Sequence, residues 1–198
     1  MKLKTIFITL ITLTLTFNVF SQNHHFGLIT GYTKSMPTEP ENQVNYSGNE
    51  ISVSQGVKNF KGLDGFQIGI YSHIDTGNDF LHLDICPQYS RYGFKDSQNI
   101  TYDYLDLDIG ASNFNAESNK KFVLGLGITP SFILRSEEIE DINVFDIKAY
   151  LTIGYRIYKN YVLSTKLRYG VIEIIPESEI TNLQISLNLN IPILKLKK

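Results

Sequence analysis

The chain has no tryptophan, two methionines and one cysteine among its 198 residues. One cysteine excludes a disulfide framework within the chain, and Cys86 lies too far along to carry a lipid anchor at a mature N-terminus. Long apolar runs are scarce. Beyond residues 6–20, no stretch approaches the roughly 20 apolar residues that a membrane-spanning helix needs, so a helical membrane protein is not expected. An excess of charge of one sign is lacking too: 18 Lys and Arg stand against 20 Asp and Glu, for a formal net charge of −2. No basic stripe suits nucleic acid, which is excluded as a partner. No linker and no internal repeat divides the chain, which reads as one domain behind a leader.

What is present begins with that leader. Lys2 and Lys4 precede an apolar stretch over 6–20, and Val19-Phe20-Ser21 puts smallish residues where a signal peptidase cuts. A secretory signal peptide is therefore expected over 1–21, with residues 22–198 as the exported domain. That domain is rich in strand patterns. Leu183, Ile185, Leu187, Leu189 and Ile191 alternate with Gln184, Ser186, Asn188 and Asn190, the side-chain period of a β-strand. Seven further segments rich in β-branched and aromatic residues can be read at 26–33, 66–74, 80–92, 101–114, 122–134, 147–158 and 161–170, with the last at 182–193. Their connections alternate between longer and shorter, the longer ones including 34–65, 93–100, 135–146 and 171–181. This alternation is expected of a bacterial outer-membrane barrel, whose short turns face the periplasm and whose long loops face outward.

Parity sorts each segment into two faces. One holds Phe66, Ile68, Ile70, Leu105, Leu107, Leu124, Leu126, Ile128, Leu151, Ile153, Leu163 and Leu167. The other holds Gln67, His73, His82, Asp84, Gln88, Asp106, Asp108, Lys148, Arg156, Lys166 and Arg168. Basic side chains near a bilayer midplane cost about 2–4 kcal/mol each, so segregating mid-strand charges on one face argues for lipid on the other. Only Arg91 and Asp103 share the apolar parity, both near strand ends. The fold expected is all-β: an eight-stranded antiparallel up-and-down transmembrane barrel with a filled polar lumen. Phe80, Phe122, Tyr158 and Tyr161 fall beside short turns, and Tyr89, Tyr92, Tyr102, Phe132 and Tyr169 toward long loops, as two interfacial belts require. The interior of an eight-stranded barrel is only wide enough to be filled by side chains. Asp84, Asp106 and Asp108 are accordingly expected to pair there with Lys148, Arg156, Lys166 and Arg168, plugging the barrel rather than lining a channel.

Four of these strands resemble those of a known group. Phe26-Gly27-Leu28-Ile29-Thr30-Gly31-Tyr32, Gly65-Phe66-Gln67-Ile68-Gly69-Ile70, Tyr104-Leu105-Asp106-Leu107-Asp108 and Leu124-Gly125-Leu126-Gly127-Ile128-Thr129-Pro130 are similar to strand motifs of small outer-membrane β-barrel domains of the PorT-like group. The resemblance spans the exported domain. It implies an outer-membrane location in a Gram-negative bacterium and, for a few members of the group, a link to protein secretion.

Chemistry is sparsely encoded. His73, His82 and Asp84 are the one histidine–carboxylate group sharing a face, a pattern that suits general-base catalysis or metal binding. They flank a short turn, at the end opposite the outer leaflet where a lipid-modifying enzyme would act. His24 and His25 are adjacent but supply two metal ligands without a third. Residues 135–141 form a short acidic run, and Cys86 is read as a small apolar filler. No catalytic residue, cofactor or metal is expected. The reading is a non-enzymatic barrel in contact with outer-membrane lipid, displaying outer loops to a protein partner or docking a periplasmic or secretion assembly at its inner rim. The alternatives are an outer-membrane hydrolase or acyltransferase acting on lipid, and a soluble periplasmic barrel binding a ligand inside.

Overall fold

Strict two-residue alternation leaves the backbone no amphipathic choice but the strand. In the computed structural model, which describes residues 23–38, 43–47, 50–54, 61–76, 81–95, 99–114, 120–136, 144–158, 160–172 and 181–197, every element is a strand. They are β1 (Asn23–Thr38), β2 (Gln43–Ser47), β3 (Glu50–Ser54), β4 (Lys61–Gly62), β5 (Asp64–Ile74), β6 (His82–Lys95), β7 (Asn99–Ser112), β8 (Phe122–Ser136), β9 (Phe145–Tyr158), β10 (Tyr161–Gly170) and β11 (Thr181–Lys197). The expected leader over 1–21, Phe80 and residues 137–141 of the acidic run lie outside the described residues.

β1 and β5 through β11 pair antiparallel in chain order, and β11 returns to β1. The result is a closed eight-stranded barrel, whose strands are the eight segments expected, mostly lengthened at their ends. Closure leaves no wall strand with an unpaired edge. β2 and β3 form a separate hairpin, and β4 adds a short pairing to β6 through Lys61 and Lys95. One rim carries both ends of the barrel sheet, since Asn23 pairs with Lys197, together with the connections 75–81, 113–121 and 159–160. The opposite rim carries 39–63, 96–98, 137–144 and 171–180. We call them the turn rim and the loop rim.

The length alternation expected from sequence fails through the middle of the barrel: 96–98, on the loop rim, is shorter than both neighbouring turn-rim connections, and 113–121, on the turn rim, is longer than 137–144 on the loop rim. Residues 93–100 are not a loop: the ladder continues through Gly93 opposite Thr101 to Lys95 opposite Asn99, leaving only 96–98 between β6 and β7. Continuous cross-strand pairing outweighs the turn-like composition of that stretch, so the β6–β7 hairpin stands as regular sheet up to its tip.

Outside and inside separate sharply. Ile68, Leu126, Ile153 and Leu187 are 50%, 65%, 54% and 50% exposed on the outer wall, while Gln67, Asp106, Lys148 and Arg168 are fully buried inside. The aromatic belts are partly as expected. Phe122, Tyr155 and Tyr158 are exposed toward the turn rim, and Tyr32, Phe66, Phe132, Phe145 and Tyr169 toward the loop rim. Tyr92 and Tyr102 do not belong to a belt. They share parity with the lumen residues of β6 and β7, and both are buried inside with Tyr104, on which Tyr92 stacks at 4.5 Å between ring centroids.

Two inward glycines have a packing reason. Gly110, Gly127 and Tyr150 lie side by side on β7, β8 and β9. The Tyr150 ring folds over both glycines, so that a Cβ on Gly110 would meet its hydroxyl at 2.2 Å and one on Gly127 its Cε1 at 2.8 Å. Missing side chains on two strands thus accommodate a large one from the third.

Candidate functional site

The lumen on the loop-rim side is filled by charge. β7 projects Asp106 and Asp108 inward, β9 projects Asp146 and Lys148, and β10 projects Lys166 and Arg168, each pair two residues apart and so on one face. All six are buried. Among the described residues these are the only buried carboxylates and cations of Asp, Glu, Lys or Arg, three of each sign.

Asp108 is the hub. Arg168 Nη2 donates to its Oδ2 at 2.9 Å, Gln88 Nε2 to the same oxygen at 3.0 Å, and Thr129 Oγ1 to Oδ1 at 2.5 Å, while Lys166 Nζ also donates to Oδ2. Arg168 spans the lumen, since its Nη1 donates to Gln67 Oε1 at 3.1 Å on β5. Gln67 in turn donates through Nε2 to Asn188 Oδ1 on β11 at 2.5 Å. Asp106 makes a second node: Ser90 Oγ donates to it at 2.7 Å, Ser131 Oγ at 2.5 Å and Lys148 Nζ at 3.2 Å. Lys148 Nζ also lies 3.7 Å from Asp146 Oδ2 and 4.3 Å from the centroid of the Tyr104 ring. Lys166 Nζ lies 4.7 Å from that of Tyr150. Seven of the eight wall strands contribute to this web. Buried ions are tolerable only when paired and hydrogen-bonded, and five of the six are both; Asp146 has Lys148 as its ion-pair neighbour, but among the described residues no side chain hydrogen-bonds its carboxylate.

Of the residues singled out from sequence, Asp106, Asp108, Lys148, Lys166 and Arg168 meet here, and two go elsewhere. Asp84 faces His73 directly across the β5–β6 hairpin, with Oδ1 2.6 Å from His73 Nδ1, because the register pairs those two residues. Arg156 sits at the turn-rim end, its guanidinium 5.1 Å from the Phe114 ring centroid. Asp146 closes the stretch 135–146, whose composition is that of a loop. Its signal was available, since Asp146, Lys148 and Tyr150 continue one parity face of β9.

A second cluster lies toward the turn rim. The His73 ring is 4.9 Å from that of His82 and 6.3 Å from that of His25, and Phe114 meets it edge-on at 4.9 Å. All three histidines are buried. The carboxylate orients His73 as a general base would need, but among the described residues no hydroxyl or thiol hydrogen-bonds its ring. Nor does any group of three or more His, Cys, Asp or Glu among them have metal-site geometry. The His24 side chain is not among those described. Between the histidines and the charge web lies a cavity of about 60 Å³, lined by Tyr71, His73, Asp84, Cys86, Tyr150 and Lys166 among others. That is far below the roughly 300 Å³ where small-molecule pockets begin.

No family model matches the chain, and no curated protein matches it. Solved structures are similar in general shape. Ail, the attachment invasion locus protein of Yersinia pestis, is 14% identical over 88% of this chain and 100% of its own, with a TM-score of 0.46. The outer membrane protein OprG from Pseudomonas aeruginosa is 12% identical over 90% of this chain and 98% of its own, with a TM-score of 0.46. Neisserial surface protein A is 16% identical over 87% of this chain and 98% of its own, with a TM-score of 0.47. These values mark a loose likeness between small barrels of different sequence.

Proposed function

We propose that this chain is a non-enzymatic outer-membrane β-barrel of a Gram-negative bacterium, a plugged wall that holds the loop rim at the cell surface for a protein partner. One observation carries the reading: the wall is apolar outside and charged inside, the inverse of what water on the outer face would select. Leucine, isoleucine and phenylalanine exposed on six of the eight wall strands, and half-buried on the outward faces of β6 and β7, suit hydrocarbon, and the aromatic residues near both rims suit its two interfaces.

The interior supports a scaffold rather than a channel or a binding cup. A web of buried ion pairs bridges the lumen, and the cavity beneath it is too small for a lipophilic ligand. The histidine–carboxylate pair sits toward the turn rim, away from the outer leaflet, which disfavours a lipid-modifying enzyme. The loop rim carries the two longest connections, 39–63 with the β2–β3 hairpin and 171–180. Long loops held by a rigid sheet are the usual place for recognition. The resemblance of four strands to the PorT-like group is compatible with docking of a secretion assembly, which would use the same wall from the turn rim.

Topology tests this. An epitope inserted at Ser47 is expected to be labelled on intact cells, and one at Asn160 only after the outer membrane is permeabilised. Labelling of Asn160 alone on intact cells would invert the orientation and remove the display role from the loop rim.

A further inference from the structure

The outward face of the loop rim carries a set of cations that the plug does not use. β4 runs alongside the end of β6 and brings Lys61 directly opposite Lys95. Directly opposed residues of an antiparallel pair project on the same side, and Lys95 has the outward parity of Tyr89 and Arg91. Both lysines are exposed. Like charges placed opposite each other across a ladder are destabilising, so an anion held between the two ammonium groups would relieve this pairing. Among the described residues no carboxylate lies within ion-pair distance of either. The carboxylates nearby in the register are engaged: Asp64 accepts a hydrogen bond from the Tyr32 hydroxyl, and Asp103 accepts one from the Tyr89 hydroxyl at 2.8 Å and lies 3.6 Å from Arg91 Nε. Lys34, exposed and opposite Asp64 on β1, offsets the charge of that carboxylate and leaves Lys61 and Lys95 uncompensated by it.

The height of this patch identifies its ligand. Tyr32, Phe66 and Tyr89 lie on the outer wall just below it, with Phe66 5.8 Å from Tyr89 between ring centroids, where the interfacial belt belongs. Lysines one to three outward positions above an aromatic belt stand among headgroups, not hydrocarbon and not bulk water. We infer that the outward face of the loop rim around Lys61 and Lys95 binds the phosphate groups of an outer-leaflet glycolipid. An ammonium pair takes a phosphate as a point-charge clamp, and its position beside the acyl boundary favours a phosphate fixed to a lipid. This site rests on the outer-membrane reading with the loop rim facing outward.

The test uses the purified full chain folded in detergent micelles, incubated with bisphosphorylated lipid A or with its dephosphorylated form, with bound glycolipid read by native mass spectrometry. The unmodified barrel is expected to retain the phosphorylated lipid preferentially. Lys61→Gln with Lys95→Gln should weaken that retention about thirtyfold, the equivalent of two lysines near an anionic surface. Lys121→Gln, on the turn rim, should leave it unchanged. Equal retention of the two lipids by the unmodified protein, or undiminished retention by the folded double variant, would overturn the site while leaving the barrel reading intact. A chain that shows no heat-dependent change of electrophoretic mobility in micelles would overturn the outer-membrane reading, and this site with it.

Discussion

Arg168→Ala is expected to lower the stability of the folded barrel by about 3–5 kcal/mol, the cost of leaving the buried web one cation short of its carboxylates rather than the worth of one ion pair. Arg168 ties Asp108 on β7 to Gln67 on β5 across the lumen. Without it, Asp108 keeps Lys166, but Gln67 Oε1 loses its donor inside a space with no bulk water to replace it. The temperature at which the compact electrophoretic band gives way to the unfolded one should fall, and so should the urea midpoint. Conductance should not rise, because Lys148, Lys166 and the stacked Tyr92 and Tyr104 still occupy the lumen. Unchanged stability would mean the web is incidental. Large, steady currents from the unmodified protein in planar bilayers would mean that it does not plug.

Leu126→Arg should be nearly as damaging, for the opposite reason. Leu126 is on the outer wall of β8, midway between the exposed rings of Phe122 and Phe132, and is 65% exposed. In water an exposed leucine-to-arginine change is worth within about 0.5 kcal/mol. At a bilayer midplane the same change costs about 2–4 kcal/mol, falling to about 0–1 kcal/mol near the interfaces. Tyr158→Arg, at the turn-rim belt, therefore serves as the comparison. Folding titrations into lipid vesicles should show a large loss for Leu126→Arg and a small one for Tyr158→Arg. Equal, small effects would mean that the wall faces water.

The barrel was legible in the sequence because a wall between lipid and a filled lumen imposes one rule on every strand, and a rule repeated eight times survives local exceptions. The last strand shows it: Leu183 to Ile191 keeps strict alternation, and its polar residues Gln184, Ser186 and Asn188 are all buried inside. Where proximity in sequence competed with parity, parity was the better guide. Tyr92 and Tyr102 lie near strand ends, which suggested a belt, yet their parity is that of Gln88 and Asp106, and they are inside. Asp84 reads two ways in the sequence, by sign with the lumen cations and by face with His73 and His82, and the hairpin register decides between them by placing it opposite His73. The interior positions are also fuller than parity implies. Parity alone would allow Arg at Asn188, but Asn188 is fully buried and receives the Gln67 amide at 2.5 Å, so a guanidinium there would both overpack the lumen and add charge to a balanced web. Arg91 and Asp103, exceptions when read singly, prove to be neighbours across β6 and β7 that pair with each other on the outer face.

The central claim, that this wall belongs in an outer membrane, is tested most directly by exporting the full chain in a Gram-negative host, separating membranes from periplasm, and running the recovered protein unheated and boiled. The account predicts recovery in the outer-membrane fraction after a high-pH wash, with a compact band that migrates differently until boiled. Recovery in the soluble periplasmic fraction, with the same mobility before and after heating, would contradict it.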